Sequence, residues 1–149
     1  DVSSILAKVV AEQKLALRAR AVRCKYHGPP IQLEADPEML RVIFDNLLSN
    51  AIKFSPQGGA IIISGAVRVP NAIVEFADQG PGVAEAEVHR IFDAFYEGQT
   101  PSESAVKGSG LGLAICRDYV NAHHGRIEVV SGVAQGALFR ITLPLEQGS

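Results

Sequence analysis

The chain has 149 residues, 47% hydrophobic, 20% charged and 6% aromatic, a balance that excludes general disorder and fits one compact domain over residues 1–149. Lys+Arg 14 against Asp+Glu 16 leaves a formal charge of -2, which excludes the broad basic field of a protein that grips nucleic acid by its phosphates, so no nucleic-acid partner is expected. The apolar runs are too short to span a bilayer, residues 1–20 lack the apolar block of a signal peptide, and Cys24 and Cys116 have no metal-like spacing; a soluble piece in a reducing compartment is expected, open to being part of something larger.

Val2, Ile5, Leu6, Val9 and Val10 recur at helical spacing and the pattern continues through Leu17, predicting one opening helix over residues 1–20. Val22, Cys24 and Tyr26 then alternate with Arg23 and Lys25. After the turn His27-Gly28-Pro29-Pro30 a second alternation runs through Ile31, Leu33 and Ala35, and the pair predicts a hairpin. Asp36-Pro37 marks a helix start, because Asp can cap free amides and Pro is preset for the first helical position. That helix is expected to reach Phe54 and stop at Ser55-Pro56.

Gln57-Gly58-Gly59 turns into a β-rich run over 60–69, Pro70-Asn71 turns again, and residues 72–76 supply an antiparallel neighbour. Val88, Ile91, Phe92 and Phe95 carry a short helical pattern, followed by a polar stretch over 97–107 with almost nothing to bury. A helix opened by Ser109 and stopped near Gly125 carries Leu111, Leu113, Ala114, Ile115 and Val120, and two strands over 126–130 and 137–143 close the chain. This order implies an α+β fold, a two-layer α/β sandwich with a mixed, mainly antiparallel sheet and helices on one face.

Three places carry more than folding needs. On the helix after Pro37, Leu40, Ile43, Phe44, Leu47, Leu48, Ala51, Ile52 and Phe54 form a broad apolar face, and Asn46, Asn50 and Lys53 run along its edge. Any one of them is ordinary on a solvated helix face, but amide oxygens also suit a hard cation such as Mg²⁺ that shares phosphate oxygens with its ligand. Asp78-Gln79-Gly80-Pro81-Gly82 follows a strand; this is common turn chemistry, yet a carboxylate in a pocket accepts from an amino group and the glycines let backbone approach a flat ring. Gly108-Ser109-Gly110-Leu111-Gly112-Leu113 opens a helix, whose free amides attract phosphate. Its G-x-G-x-G spacing, with no strand before it, excludes a dinucleotide fold, and the absence of Gly-Lys-Ser/Thr excludes a P-loop. The four histidines, His27, His89, His123 and His124, have no metal-like spacing and read as solvated or capping residues.

In this order the segments resemble the nucleotide-binding catalytic domain of bacterial sensor histidine kinases, in the superfamily that also holds gyrase, Hsp90 and MutL ATPases. Residues 44–54 resemble its N box, 78–82 its first glycine box, Ile91-Phe92-Asp93-Ala94-Phe95-Tyr96 its F box, and 108–115 its second glycine box. The resemblance implies a Bergerat-type ATP-binding fold with ATP and Mg²⁺ as ligands. Asn50 would hold Mg²⁺ with help from Asn46, Lys53 would reach phosphate, Phe54 would pack near the base, and Asp78 would bind the adenine amino group. Gly80, Gly82 and Val83 would border the base. Gly108, Ser109, Gly110, Leu111, Gly112 and Leu113 would border the phosphates under a lid over 96–108, anchored by Phe92 and Phe95.

The resemblance also bears on reaction class. ATP-hydrolysing members of the superfamily carry a Glu four residues before the metal-binding Asn, placed to activate water; this chain has Asn46, an amide that takes no proton at neutral pH. Hydrolysis should be slow, and no residue of this chain is expected to act as a catalytic base or nucleophile. The γ-phosphoryl would pass to a histidine on a separate dimerisation domain, and from there to a cognate response regulator. None of the four histidines here is followed by the acidic residue that marks such an acceptor. Glu97 stands where kinases of this type often carry Arg, leaving Lys107 as the cation near the γ-phosphate. The resemblance further implies a cytoplasmic domain, monomeric when isolated, from a dimeric parent that can be anchored in the inner membrane. Two alternatives remain: a self-contained ATPase of the same superfamily, and a non-catalytic nucleotide-sensing module.

Overall fold

The computed structural model describes residues 1–54, 57–78, 112–130 and 138–146. The opening apolar pattern folds as two helices, α1 (Val2–Glu12) and α2 (Lys14–Ala19), because Gln13 between them leaves helical geometry at φ -101° and ψ 16°. Asp1 caps α1 by accepting the Ser3 amide at 2.9 Å, and Val2, Leu6 and Val9 form its buried stripe. β1 (Arg23–His27) follows, then α3 (Pro37–Phe54). α3 begins where the sequence requires: Asp36 Oδ1 accepts from Glu38 N–H at 2.9 Å and Met39 N–H at 3.2 Å, satisfying amides that have no partner within the helix.

The hairpin expected over 21–35 does not form. β1 pairs in parallel with β2 (Ala60–Arg68), setting Cys24 opposite Ile61 and Tyr26 opposite Ile63. Parallel strands need a long crossover, and α3 supplies it. Residues 31–35 keep their alternating burial, but isolated bonds hold them: Val2 N–H donates to Ile31 O at 2.9 Å and Glu34 N–H to Leu145 O at 2.8 Å. Alternation marks an extended, half-buried segment without naming its partner.

β3 (Asn71–Ala77) pairs antiparallel with β2 as expected; β5 (Leu138–Pro144) pairs with β3, and β4 (Arg126–Val130) with β5, giving the order β1-β2-β3-β5-β4. The sheet is thus mixed and mainly antiparallel. Its pleat sends Ile61, Ile63, Val74, Phe76, Phe139 and Ile141 to one face, where they join α1, α3 and α4 (Gly112–Ala122) in a single core. Phe44 of α3 meets Phe76 of β3 with ring centroids 6.0 Å apart, and truncating an aromatic at such a site costs about 3–5 kcal/mol. On the opposite face the Arg140 guanidinium lies 2.7 Å from Glu75 and 3.8 Å from Glu128. Part-exposed pairs of this kind contribute about 0–1 kcal/mol, so the apolar face holds the sheet.

α3 and α4 run antiparallel. Cys116 Sγ meets Ile43 O at 3.5 Å, and His123 Nε2 accepts from the Asp36 N–H at 3.1 Å. His123 Nδ1 lies 2.9 Å from Tyr119 O and carries the proton, which leaves Nε2 as the acceptor. This histidine is 5% exposed: it bolts α4 to the α3 cap instead of facing solvent. Burial, with the Asp45 charge adding to it, pushes the Cys116 thiol up to about 12, and burial pushes Cys24 up to about 11, so both are protonated and poor nucleophiles at neutral pH. α4 ends ahead of Gly125 as expected, but the left-handed residue is His124 at φ 60°. Gly125 serves close approach instead, since a Cβ there would collide with the Thr142 carbonyl oxygen.

Candidate functional site

Asp78 continues the inward alternation of β3 after Ala72, Val74 and Phe76, so the pleat delivers a carboxylate to the helix-covered face, 6% exposed. Ala77 pairs with Ile62, which sets Asp78 level with the start of β2. On α3, Leu47, Leu48 and Ala51 face the core while Asn46, Asn50 and Lys53 lie half-buried along its margin. Asn46 Nδ2 donates to Val42 O at 3.0 Å, which ties down the nitrogen and leaves the amide oxygen as the end suited to a ligand. Phe54 is the last residue of α3.

The start of α4 lies level with the middle of α3. As many residues separate Ile43 from Asp36 as separate Cys116 from His123, and the same antiparallel register carried one turn further sets Gly112 level with Leu47, between Asn46 and Asn50. Leu113 packs its side chain on the core, so only its backbone can face a ligand. α3 thus carries Asn46, Asn50 and Lys53 along the margin of its C-terminal half, with the start of α4 level with its middle and Asp78 just beyond the end of β3. Gly80, Gly82, Val83, Phe92, Phe95, Lys107, Gly108, Ser109, Gly110, Leu111 and the loop over 96–108 lie outside the described residues.

Chemically, Asp78 can accept from an amino group, and Asn46 and Asn50 can offer amide oxygens to a hard cation. No group of three His, Cys, Asp or Glu among the described residues could hold a metal ion. Two structurally important side chains escaped the sequence reading. His123 had a usable signal: it follows Cys116 and Val120 at i+7 and i+3, on the core face of α4. Gln13 had none, being set among good helix formers; its Nε2 lies 2.7 Å from Asp45 Oδ1, 3.0 Å from Asp45 O and 2.9 Å from Ser49 Oγ.

Among the described residues no helix is long and apolar enough to cross a membrane. The family model described as "Histidine kinase-, DNA gyrase B-, and HSP90-like ATPase" matches residues 35–147. The probable sensor kinase SilS of Salmonella typhimurium is 40% identical over 111 residues, covering 73% of this chain and 22% of SilS. Curated relatives of this kind are much longer: the chain spans between 16% and 28% of the first three. The mycobacterial sensor histidine kinase MprB has a solved structure with a TM-score of 0.85 at 29% identity, covering 97% of this chain and 95% of that one. Full-length ShkA in complex with AMPPNP superposes with a TM-score of 0.83 at 28% identity, covering 97% of this chain and 30% of that one. The chain belongs to the histidine kinase-, DNA gyrase B- and HSP90-like ATPase family, and within it to the catalytic domains of two-component sensor histidine kinases.

Proposed function

We propose that this domain binds ATP with Mg²⁺ and presents the γ-phosphoryl to a histidine on a dimerisation domain of the parent kinase, from which a cognate response regulator takes it. The features that best support this reading are a buried carboxylate just beyond the end of β3 and an amide stripe on α3 beside the first turn of α4. Asn46 and Asn50 fit Mg²⁺ by their oxygen chemistry, and the Asn46 bond to Val42 O already fixes which end of that amide faces outward. When bound, Mg²⁺ neutralises phosphate charge.

The chain's own residues divide the remaining work. Asp78 accepts the adenine amino group, Phe54 packs near the base, and Gly80, Gly82 and Val83 border it. Lys53 and Lys107 reach phosphates, and the backbone from Gly108 through Ser109, Gly110, Leu111 and Gly112 to Leu113 borders them under the lid. The incoming imidazole nitrogen bonds to the γ-phosphorus as the bond to the β,γ-bridging oxygen breaks, and ADP leaves; the domain accelerates this by positioning and charge neutralisation. Asn46 cannot take a proton from water, which keeps hydrolysis slow. The parent acts as a dimer, anchored in the inner membrane with this domain on the cytoplasmic side.

Thermal unfolding with and without MgATP tests the binding step. Ligand at about 100 times its Kd adds about 2.7 kcal/mol, a rise of a few degrees in Tm for a chain of this length. An unchanged Tm would favour a partner-binding module that works without nucleotide.

A further inference from the structure

The break between α1 and α2 has no local cause. Residues 11–15 are Ala, Glu, Gln, Lys and Leu, all good helix formers, with neither Pro nor Gly among them. Sharp changes in a helix have identifiable origins, and the contacts at this one are tertiary. The Gln13 side-chain nitrogen, with two hydrogens, faces three acceptors on α3: Asp45 Oδ1 at 2.7 Å, Ser49 Oγ at 2.9 Å and Asp45 O at 3.0 Å. One residue earlier, Glu12 lies 3.6 Å from Arg41, which also meets Glu38 at 3.4 Å. Arg41, Asp45 and Ser49 fall at i, i+4 and i+8, a single stripe of α3 bolted to the joint. The joint itself stays connected, with the Gln13 N–H bonded to Val9 O and Val10 O at 3.2 Å and its carbonyl accepting from Leu17 N–H at 3.0 Å.

Asp45 and Ser49 immediately precede Asn46 and Asn50. Neighbouring residues project about 100° apart on a helix, so the joint grips α3 on the flank beside the amide stripe without occupying it. A rigid helix held this way cannot rotate or slide at the joint without carrying both asparagines with it.

We infer that Gln13 is a positioning residue for the nucleotide site: its amide sets the rotation of α3 that presents Asn46 and Asn50. This rests on the proposed metal role of those two asparagines.

The test is calorimetry of ATP binding with and without Mg²⁺, reading the gain in affinity that magnesium confers. Gln13→Met keeps the length of the side chain and removes its donors; it is expected to shrink that gain about 2- to 10-fold, the scale of one net hydrogen bond, with a smaller loss of magnesium-free binding because Lys53 and Phe54 ride on the same helix. Ser49→Ala removes one acceptor from the solvent side and should give a smaller loss of the same sign. Asp45→Asn keeps an oxygen for Gln13 and should retain the wild-type gain. Glu75→Gln, which breaks an ion pair on the open face of the sheet, should lower Tm slightly and leave the gain intact. A full magnesium gain in both Gln13→Met and Ser49→Ala, alongside its loss in Asn50→Ala, would overturn the positioning role alone. A full gain in Asn50→Ala would remove the metal reading on which the inference stands.

Discussion

Asn50→Ala is expected to remove most of the magnesium-dependent part of ATP binding and to leave the magnesium-free part near the wild-type value. Asn50 lies half-buried one turn beyond Asn46 on the margin of α3, and the register of α3 with α4 sets the first turn of α4 between them. Losing even a residue that supports a metal ligand costs about 10- to 100-fold in metal affinity, and losing the ligand itself belongs at or above the top of that range. The α3 residues that carry the core, Phe44, Leu47, Leu48 and Ala51, point away from this margin, so the apo domain should unfold near the wild-type Tm. Calorimetry in Mg²⁺ and in chelator separates the two components. A loss of equal size in both would assign Asn50 to the nucleotide instead of the metal.

Asp78→Asn should have the opposite signature: a loss of ATP affinity of the same size with and without Mg²⁺. The carboxylate is an acceptor at every lone pair, and a charge-assisted bond of this kind contributes about 1.5–3 kcal/mol, or roughly 10- to 150-fold in affinity. Asn has nearly the same shape but lacks the charge and adds a donor, which faces badly a base edge that itself donates. The wild-type domain should therefore prefer ATP to GTP, whose base carries an oxygen where adenine carries the amino group, and Asp78→Asn should narrow that preference. Titrating both nucleotides into both proteins measures it. An unchanged preference in the variant would mean that the base is read elsewhere.

The residues with local signals were legible from the chain alone. Asp36-Pro37 announced α3 because capping and the fixed φ of proline act within a few residues. The stripe Asn46-Asn50-Lys53 and the strand-end Asp78 followed from periods of 3.6 and 2, and the structure sets the stripe on α3 and Asp78 directly after β3. What the sequence hid depends on partners far along the chain. β1 looked like half of a hairpin because alternation is blind to whether the neighbour comes from residue 31 or residue 61. The break at Gln13, set among residues of strong helix propensity, falls where its side chain meets Asp45 and Ser49 of α3. His123 read as a solvated or capping residue, and only the antiparallel docking of α4 on α3 shows it accepting the Asp36 amide in a buried position.

The most direct measurement mixes this chain with a helical dimerisation domain bearing an acceptor histidine, adds Mg²⁺ and ATP labelled at the γ-phosphate, and follows where the label goes. The account predicts acid-labile, base-stable label on the histidine of the added domain, little free phosphate, and loss of transfer with Asn50→Ala. Steady release of labelled phosphate by this chain, with none on the added domain, would contradict it.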